Sequence, residues 1–321
     1  MSAPRILCTQ PLDAAAMADL RALGRVTVAS RGRPPAPARL RALARESDAV
    51  VGLLCDRFDA KFFASAPTLK VLALDSAGFN HVDLTAARAR GVTVTYCPGV
   101  LTEATADLTW ALILACARRL PEGLELMRAG KFRGWDHNLL RGMELRGRTL
   151  GIIGMGRIGR AVAGRAAGFG MQVAYHSRTP LPNAVARRLK ASRLPLRGLL
   201  AAADILSLHC PLTPETAGLI DRAALARMQP GAILINTARG PVVDERAVAA
   251  ALRAGRLAAA GFDVFAGEPA LSAALRRAPR CVVLPHLGSA TDETRAAMGA
   301  RVVANLRAAL AGRRPPNAVP A

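Results

Sequence analysis

Three segments in the last third of the chain carry charged side chains directly after apolar runs that are typical of β-strands. Arg239 follows the first run, Asp263 and Glu268 follow the second, and His286 follows the third. Arginine binds anions and histidine exchanges protons near neutral pH, so these residue types suit acid–base chemistry on an anionic molecule. Singly, each also fits a turn, a helix cap or a surface position. Because parallel strands end at one edge of a sheet, together they predict a site there.

A glycine-rich loop, Gly154-Met-Gly156-Arg-Ile-Gly159, stands between an apolar run and an alanine-rich helical segment. In this context Gly154 predicts a tight turn, Gly156 a backbone that a pyrophosphate can approach, and Gly159 close packing of helix on strand. The helix N-terminus offers N–H groups to phosphates, and Arg157 could add a charge. The loop, with Arg157 and Ile158 in it, therefore predicts a dinucleotide site.

The next apolar run ends in His176-Ser177-Arg178-Thr179. A site selective for NAD has an Asp or Glu at this point to bind the ribose hydroxyls, and this segment contains neither. Ser177, Arg178 and Thr179 instead supply two hydroxyls and a guanidinium, which are the donors that a 2′-phosphate needs. The sequence therefore favours NADP(H), with NAD(H) as the alternative.

Short apolar runs alternate with helical segments on both sides of a break at Pro98-Gly99, and this alternation predicts parallel sheets. The first series of predicted strands is Arg5–Thr9, Arg25–Val28, Ala49–Leu54, Val71–Leu74 and Thr93–Tyr96. The second series has six: Thr149–Ile153, Val173–Tyr175, Ile205–Leu208, Ala232–Asn236, Ala259–Asp263 and Val282–Leu284. Between the series we predict a helix over Glu103–Arg119 and an irregular segment over Gly123–Gly147, and after them a helix over Ala290–Ala311.

This order predicts an α/β protein of two Rossmann-like, doubly wound parallel-sheet domains with an active-site cleft between them. The substrate-binding domain would be residues 1–98 plus 287–321, because the last helix is too short to form a domain alone. The dinucleotide-binding domain would be residues 99–286.

The charge of the chain is strongly positive, with 44 Lys+Arg against 23 Asp+Glu, a formal net charge of +21 over 321 residues. Such a balance invites a nucleic-acid partner, but aromatic residues make up only 4% and the arginines are scattered. No apolar run is long enough to span a membrane and no apolar leader is evident at the N-terminus. The six cysteines are dispersed. We therefore expect a cytoplasmic protein with no nucleic-acid or membrane partner and no metal.

Four ordered motifs resemble the D-isomer-specific 2-hydroxyacid dehydrogenases, most of all their glyoxylate/hydroxypyruvate reductases. They are the glycine loop, Asn-Thr-Ala-Arg-Gly at 236–240, Asp-Val-Phe-x-x-Glu-Pro at 263–269 and Leu-Pro-His-x-Gly-Ser-Ala-Thr at 284–291. Segments 76–83 and 101–107 extend the likeness to the first half of the chain. The resemblance thus covers essentially the whole sequence.

The resemblance implies a catalytic group of three residues. Arg239 would hold the substrate carboxylate, His286 would protonate the carbonyl oxygen as hydride arrives, and Glu268 would orient His286. Backbone N–H groups of Ala77 and Gly78 would bind the same carboxylate. Trp135 would set specificity, or else anchor a dimer. Further residues implied at the cofactor are Thr105, Cys210, Pro211, Thr237, Ala238, Asp263, His286 and Gly288, with Asp263 meeting the nicotinamide carboxamide.

The activity that the resemblance implies is NADPH-dependent reduction of glyoxylate or hydroxypyruvate to the D-2-hydroxy acid, by a homodimer built largely through residues 104–147. One alternative is the same chemistry on another 2-oxo acid, such as 2-ketogluconate, pyruvate or phenylpyruvate. Another is a dinucleotide-sensing binding protein like the transcriptional corepressors of the family, which keep the same three catalytic residues.

Overall fold

The structure, a computed structural model, describes residues 3–320, so the outermost residues of the predicted first domain, 1, 2 and 321, lie outside the described residues. The chain forms two compact units. The first runs up to Leu101 and resumes at Ser289, and the second is Thr102–Gly288. Each unit is built on one parallel sheet, which confirms the predicted α/β class with two parallel-sheet domains.

The strands and helices are numbered in chain order. The strands are β1 Arg5–Cys8, β2 Arg25–Val28, β3 Ala49–Gly52, β4 Val71–Leu74, β5 Thr93–Thr95, β6 Thr149–Ile153, β7 Gln172–His176, β8 Ala191–Arg193, β9 Ile205–Leu208, β10 Ala232–Asn236, β11 Leu257–Phe262 and β12 Cys281–Val283. The helices are α1 Ala14–Leu23, α2 Pro37–Ala44, α3 Ala60–Ala64, α4 Leu84–Ala89, α5 Thr102–Ala117, α6 Leu120–Arg128, α7 Arg157–Ala166, α8 Asn183–Arg188, α9 Leu196–Ala202, α10 Arg222–Arg227, α11 Glu245–Arg253, α12 Ala273–Arg276 and α13 Asp292–Leu310.

The first unit has a five-stranded sheet in the order β2-β1-β3-β4-β5. Side chains of β1 alternate between two hydrophobic clusters, with Leu7 in one and Ile6 and Cys8 in the other. The sheet is therefore covered on both faces, which explains why its central strands are apolar runs without polar alternation. Helix α13 belongs to this unit and packs against α1 and β4.

The second unit has a seven-stranded sheet in the order β12-β11-β10-β9-β6-β7-β8. All strands are parallel, but the strand order proceeds from β6 to β7 and β8 on one side and from β9 to β12 on the other. In folds of this kind ligands bind outside the carboxyl ends of the strands at such a switch in strand order. Leu150 and Ile152 of β6 face one hydrophobic cluster and Ile153 faces another. The loops that follow β6, β7, β9 and β10 therefore start from a rigid, buried edge.

Two sequence predictions for the second unit are wrong. The sheet has seven strands instead of six, because β8 is a short edge strand whose residues Ser192 and Arg193 are exposed and carry no apolar pattern. The long helix ends at Ala117, and a separate helix, α6, occupies the start of the segment predicted as irregular. Arg119 separates the two helices in a left-handed conformation (φ 53°), which no glycine marks in the sequence.

Candidate active site

The glycine loop joins β6 to α7, and each of its three glycines meets a different steric demand. Gly154 has φ 94°, and a Cβ there would lie 2.5 Å from the backbone nitrogen of Cys210. A Cβ at Gly159 would collide with the carbonyl oxygen of Gly154. A Cβ at Gly156 would meet nothing within 4 Å, and no side chain caps the helix that begins after it. The α7 N-terminus thus presents unshielded N–H groups to open space, which fits a pyrophosphate.

A cavity of about 400 Å³ opens beside this loop at the carboxyl ends of β6, β7 and β9. Seven residues predicted at the cofactor line it: Gly154, Gly156, Ser177, Arg178, Thr179, Cys210 and Pro211. It is also lined by residues that sequence reasoning did not assign to the site, among them His176, Thr213, Glu215, Thr216 and Leu219. Arg157 is exposed and Ile158 half-buried, at the first two positions of α7.

In the loop after β7, backbone carbonyl groups accept hydrogen bonds from a side chain of the loop itself and from a side chain of β8. The Ser177 hydroxyl donates to the carbonyl of Thr179 at 2.6 Å. The Arg193 guanidinium donates to the carbonyls of Ser177 at 3.2 Å and Arg178 at 3.4 Å. Arg193 was not predicted as a site residue, because it lies on the strand that the sequence pattern did not reveal. Arg178 itself is exposed at the cavity.

The loop after β10 carries Arg239, and the buried side chain of Asn236 shapes it. Asn236 Nδ2 donates to the Arg239 carbonyl at 3.0 Å, and Asn236 Oδ1 accepts from the Ala238 N–H at 3.0 Å. A Cβ on Gly240 would collide with the backbone at Phe265. The arginine loop therefore packs directly against the loop that leads to Glu268.

Arg239, Glu268 and His286 come together in this unit. Glu268 Oε2 lies 2.8 Å from His286 Nδ1, and Glu268 Oε1 accepts from the Phe265 N–H at 2.9 Å. Burial raises the pKa of Glu268, but the hydrogen bond and charge of His286 outweigh it and hold that pKa below its usual value. Burial lowers the pKa of Arg239, which the charge of Glu268 opposes. Because Nδ1 faces Glu268, Nε2 is the His286 nitrogen available to a substrate.

The loop that carries His286 is anchored by Asp263, which is only 1% exposed. The Asp263 carboxylate accepts from the N–H groups of Leu287 at 2.6 Å and Gly288 at 2.9 Å, and its carbonyl accepts from the His286 N–H at 2.9 Å. Burial raises the pKa of Asp263, whereas these N–H groups and His286 lower it. His286 has φ 58°, a conformation that a non-glycine residue keeps only where its surroundings impose it.

A chain of buried hydroxyl groups connects the His286 and Arg239 loops to helix α5. Thr105 Oγ1 donates to the Gly288 carbonyl at 2.9 Å, and Thr109 Oγ1 donates to the Thr105 carbonyl at 2.8 Å. Thr109 Oγ1 also lies 3.0 Å from Thr237 Oγ1, which lies 3.4 Å from His209 Nδ1. Because the only hydrogen of Thr109 goes to Thr105, Thr237 must donate to Thr109 and accept from His209.

His209 therefore carries a proton on Nδ1. Burial lowers its pKa to about 3, so it carries no charge at neutral pH. Its Nε2 then accepts from the Ser207 hydroxyl, 2.8 Å away. His209 follows β9 and lines the cofactor cavity as a fixed polar group.

Three residues predicted to bind substrate lie apart from this group in the sequence. Ala77 and Gly78 are half-buried in the loop after β4, in the first unit, where the Ser76 hydroxyl donates to the Gly78 carbonyl at 2.6 Å. Trp135 lies after α6, is 84% exposed, and packs edge-on against His137. Their roles toward substrate stay predictions.

Among residues 3–320, no three His, Cys, Asp or Glu side chains are grouped so that they could hold a metal ion. None of the helices described there has the length and apolar character to cross a membrane.

Comparison with known proteins places the chain in a family. The model of the "D-isomer specific 2-hydroxyacid dehydrogenase, NAD binding domain" matches residues 110–288, so the second unit binds a nicotinamide dinucleotide. A glyoxylate reductase of Aeropyrum pernix is 44% identical over 324 residues, covering 99% of this chain and 96% of its own. One of Thermococcus litoralis is 45% identical over 292 residues, covering 89% and 88%.

A solved structure agrees with these relatives. An NADPH-dependent glyoxylate/hydroxypyruvate reductase of Sinorhizobium meliloti, in complex with NADP and malonate, is 34% identical and superposes with a TM-score of 0.87. The match covers 99% of this chain and 97% of that one. The resemblance found in the motifs is confirmed: the chain belongs to the D-isomer specific 2-hydroxyacid dehydrogenases, a family of enzymes that use a nicotinamide dinucleotide.

Proposed function

We propose that the protein reduces glyoxylate or hydroxypyruvate to the D-2-hydroxy acid with NADPH. The observation that carries this proposal is the ion pair of His286 with Glu268 next to Arg239, in the unit that also holds the glycine loop. An acid for the carbonyl oxygen and a cation for the carboxylate are the two groups that reduction of a 2-oxo acid requires. The names of the relatives favour glyoxylate and hydroxypyruvate among such acids.

The residues of the chain divide the work as follows. When bound, NADPH would supply the hydride for the 2-oxo carbon. Arg239 holds the carboxylate in a bidentate pair and keeps the substrate oriented. His286 gives the proton on Nε2 to the carbonyl oxygen, completing the hydroxyl group, and takes a proton back from solvent. Glu268 keeps the imidazole oriented and stabilises its charged form through the 2.8 Å bond to Nδ1.

The preference for NADPH rests on the loop after β7. Arg178, Ser177 and Thr179 line the cavity beside the glycine loop, and no acidic residue stands at the end of β7. Arg193 supports the backbone that carries Arg178. A guanidinium and hydroxyl groups bind a 2′-phosphate, whereas a free ribose favours a carboxylate partner.

The test is a parallel assay of the purified chain. The loss of reduced-nicotinamide absorbance is followed for NADPH and NADH with glyoxylate, hydroxypyruvate, pyruvate and 2-ketogluconate. We expect turnover with the first two acids and a higher kcat/KM with NADPH. His286→Gln should abolish kcat, while Arg239→Gln should raise the KM for the acid. No turnover with any 2-oxo acid refutes the reductase, and an advantage for NADH refutes the role of Arg178.

We further propose that the protein is a homodimer formed through α6 and the segment after it. Apolar side chains here are exposed to an extent that a monomer rarely tolerates, with Leu124 at 55% and Met127 at 62%. Phe132 and Trp135 extend the apolar surface to 46% and 84% exposed positions. Sedimentation equilibrium should give twice the chain mass. Leu124→Glu combined with Met127→Glu should give the monomer mass, and a monomeric wild-type chain overturns this part.

A further inference from the structure

One acidic side chain, Glu215, lines the same cavity as Arg178. The two residues come from different loops, since Arg178 follows β7 and Glu215 follows β9. Both residues line one cavity, and the charge of Arg178 contributes to lowering the pKa of the Glu215 carboxyl. The site proposed to bind a 2′-phosphate therefore has a negative charge within its own wall.

The loop that carries Glu215 is held by a compact set of hydrogen bonds. The Thr216 hydroxyl donates to the Pro211 carbonyl at 2.6 Å and accepts from the Thr213 N–H at 2.8 Å. The N–H of Ala217 donates to the Thr213 carbonyl at 2.9 Å, which closes the turn. Because the turn is closed on itself next to the cavity, Glu215 stays close to the cavity even though its side chain is exposed.

Glu215 is ionised at neutral pH. Hydrogen bonding from Thr213 lowers the pKa of the Glu215 carboxyl, and Arg178 lowers it further. Ionised, it attracts the Arg178 guanidinium and repels any phosphate that approaches the same cation. A 2′-hydroxyl has no charge and suffers no such repulsion.

We propose that Glu215 reduces the preference for NADP(H) over NAD(H), because its carboxylate competes with the 2′-phosphate for Arg178. This inference rests on the NADPH preference proposed above and adds to it a residue that acts against that preference. It makes Glu215 a specificity-determining residue whose removal strengthens binding. A carboxylate kept there only for solubility or loop structure would not distinguish the two ligands.

The experiment uses the adenosine end of the cofactor alone, so that binding is measured without turnover. Isothermal titration calorimetry of the full chain with adenosine 2′,5′-bisphosphate and with AMP gives two dissociation constants. Their ratio gives the contribution of the 2′-phosphate to binding. Glu215→Gln keeps the size and hydrogen-bonding capacity of the side chain. It should tighten binding of the bisphosphate about two- to five-fold, within the range of an exposed charge pair, and leave AMP binding essentially unchanged.

Two further variants separate the inference from the function on which it rests. Asp19→Asn removes the same charge from an exposed position on α1 of the first unit and should leave both constants unchanged. Arg178→Gln should weaken the bisphosphate alone, and in the Arg178→Gln background the effect of Glu215→Gln should shrink. If Arg178→Gln leaves the bisphosphate unaffected, the proposed NADPH preference fails.

Different results would exclude a role of Glu215 in specificity. With Arg178→Gln behaving as expected, a Glu215→Gln protein that binds the bisphosphate no more tightly than wild type overturns it. Equal tightening of AMP and the bisphosphate also overturns it, since the effect would then not concern the 2′-phosphate. The expected gain should fall as salt rises, because an exposed charge pair is screened over about 10 Å at 0.1 M ionic strength.

Discussion

Replacing Asn236 by alanine tests whether the arginine loop is positioned from beneath by one buried amide. The side chain is fully buried and bonds two backbone groups, the Ala238 N–H and the Arg239 carbonyl, each at 3.0 Å. The alanine variant leaves both without their partner in a buried environment. At about 1–2 kcal/mol for each stranded group, the free energy of unfolding should fall by about 2–4 kcal/mol.

The effect on function should be larger for the acid than for the cofactor. Loss of the two bonds frees the backbone at Arg239, so the KM for glyoxylate should rise about ten-fold or more while the dissociation constant of NADPH changes less than two-fold. Urea unfolding measures the free energy of unfolding. Steady-state kinetics measure the KM for glyoxylate, and a titration that follows NADPH fluorescence measures the dissociation constant of NADPH.

The matched control is Asn305→Ala in α13. Asn305 is also a buried amide, 1% exposed, with Nδ2 donating to the Tyr96 carbonyl at 3.3 Å and Oδ1 accepting from the Asn317 N–H at 3.1 Å. It belongs to the first unit, so its removal should cost stability without raising the KM to the same degree. An Asn236→Ala enzyme with an unchanged KM would refute the positioning argument, even if its stability fell as expected.

Two predictions concern stability. Burial raises the pKa of Asp75 from 3.8 to about 6, against the opposing charge of Arg295. The native state therefore binds this proton more tightly than the unfolded chain does. As a result, the contribution of Asp75 to the free energy of unfolding declines as pH rises from 4 to 6. At pH 7 the free energy of unfolding of Asp75→Asn, measured by urea denaturation, should therefore exceed that of wild type by up to about 3 kcal/mol. The difference should vanish near pH 4, and a difference that does not depend on pH would contradict this reasoning. Gly159→Ala should abolish NADPH binding and lower the melting temperature, because its Cβ would collide with the Gly154 carbonyl oxygen. Gly164→Ala in the same helix meets only Leu189 Cδ2 at 3.8 Å and should raise stability by about 0.5–1 kcal/mol. Because alanine favours the helix at both positions, a loss at Gly164 as large as that at Gly159 would contradict the steric argument.

The sequence predicted the buried strands well, because a strand covered on both faces is an apolar run with turn residues on either side. Strand β6 has its predicted bounds, and β11 begins two residues earlier than predicted. Strand β8 escaped because an edge strand with exposed side chains has no such run. The end of α5 escaped because a left-handed arginine, Arg119, does not differ in type from the arginines around it.

For the site, the sequence predicted the residues that would contact ligands, but it did not predict the residues that support the loops carrying them. Asn236 and Arg193 act on backbone carbonyls, and a contact of that kind depends on which loops the fold brings together. Glu215 escaped because a surface carboxylate in a turn is common, and only the cavity shows that it shares a wall with Arg178. Reactive side chains at strand ends can therefore be predicted from the sequence, whereas hydrogen bonds between loops cannot.

The hydroxyl chain from Gly288 to His209 has a consequence for how the site responds to charge. Thr109 and Thr237 each have one hydrogen, and with His209 neutral all of them are committed in one direction. Reversing this row would break the bond from Thr109 to the Thr105 carbonyl and require the other tautomer of His209, so its dipoles resist reorientation when hydride transfer changes the charge nearby. The row therefore contributes preorganised electrostatics beside the cofactor cavity in each reaction cycle.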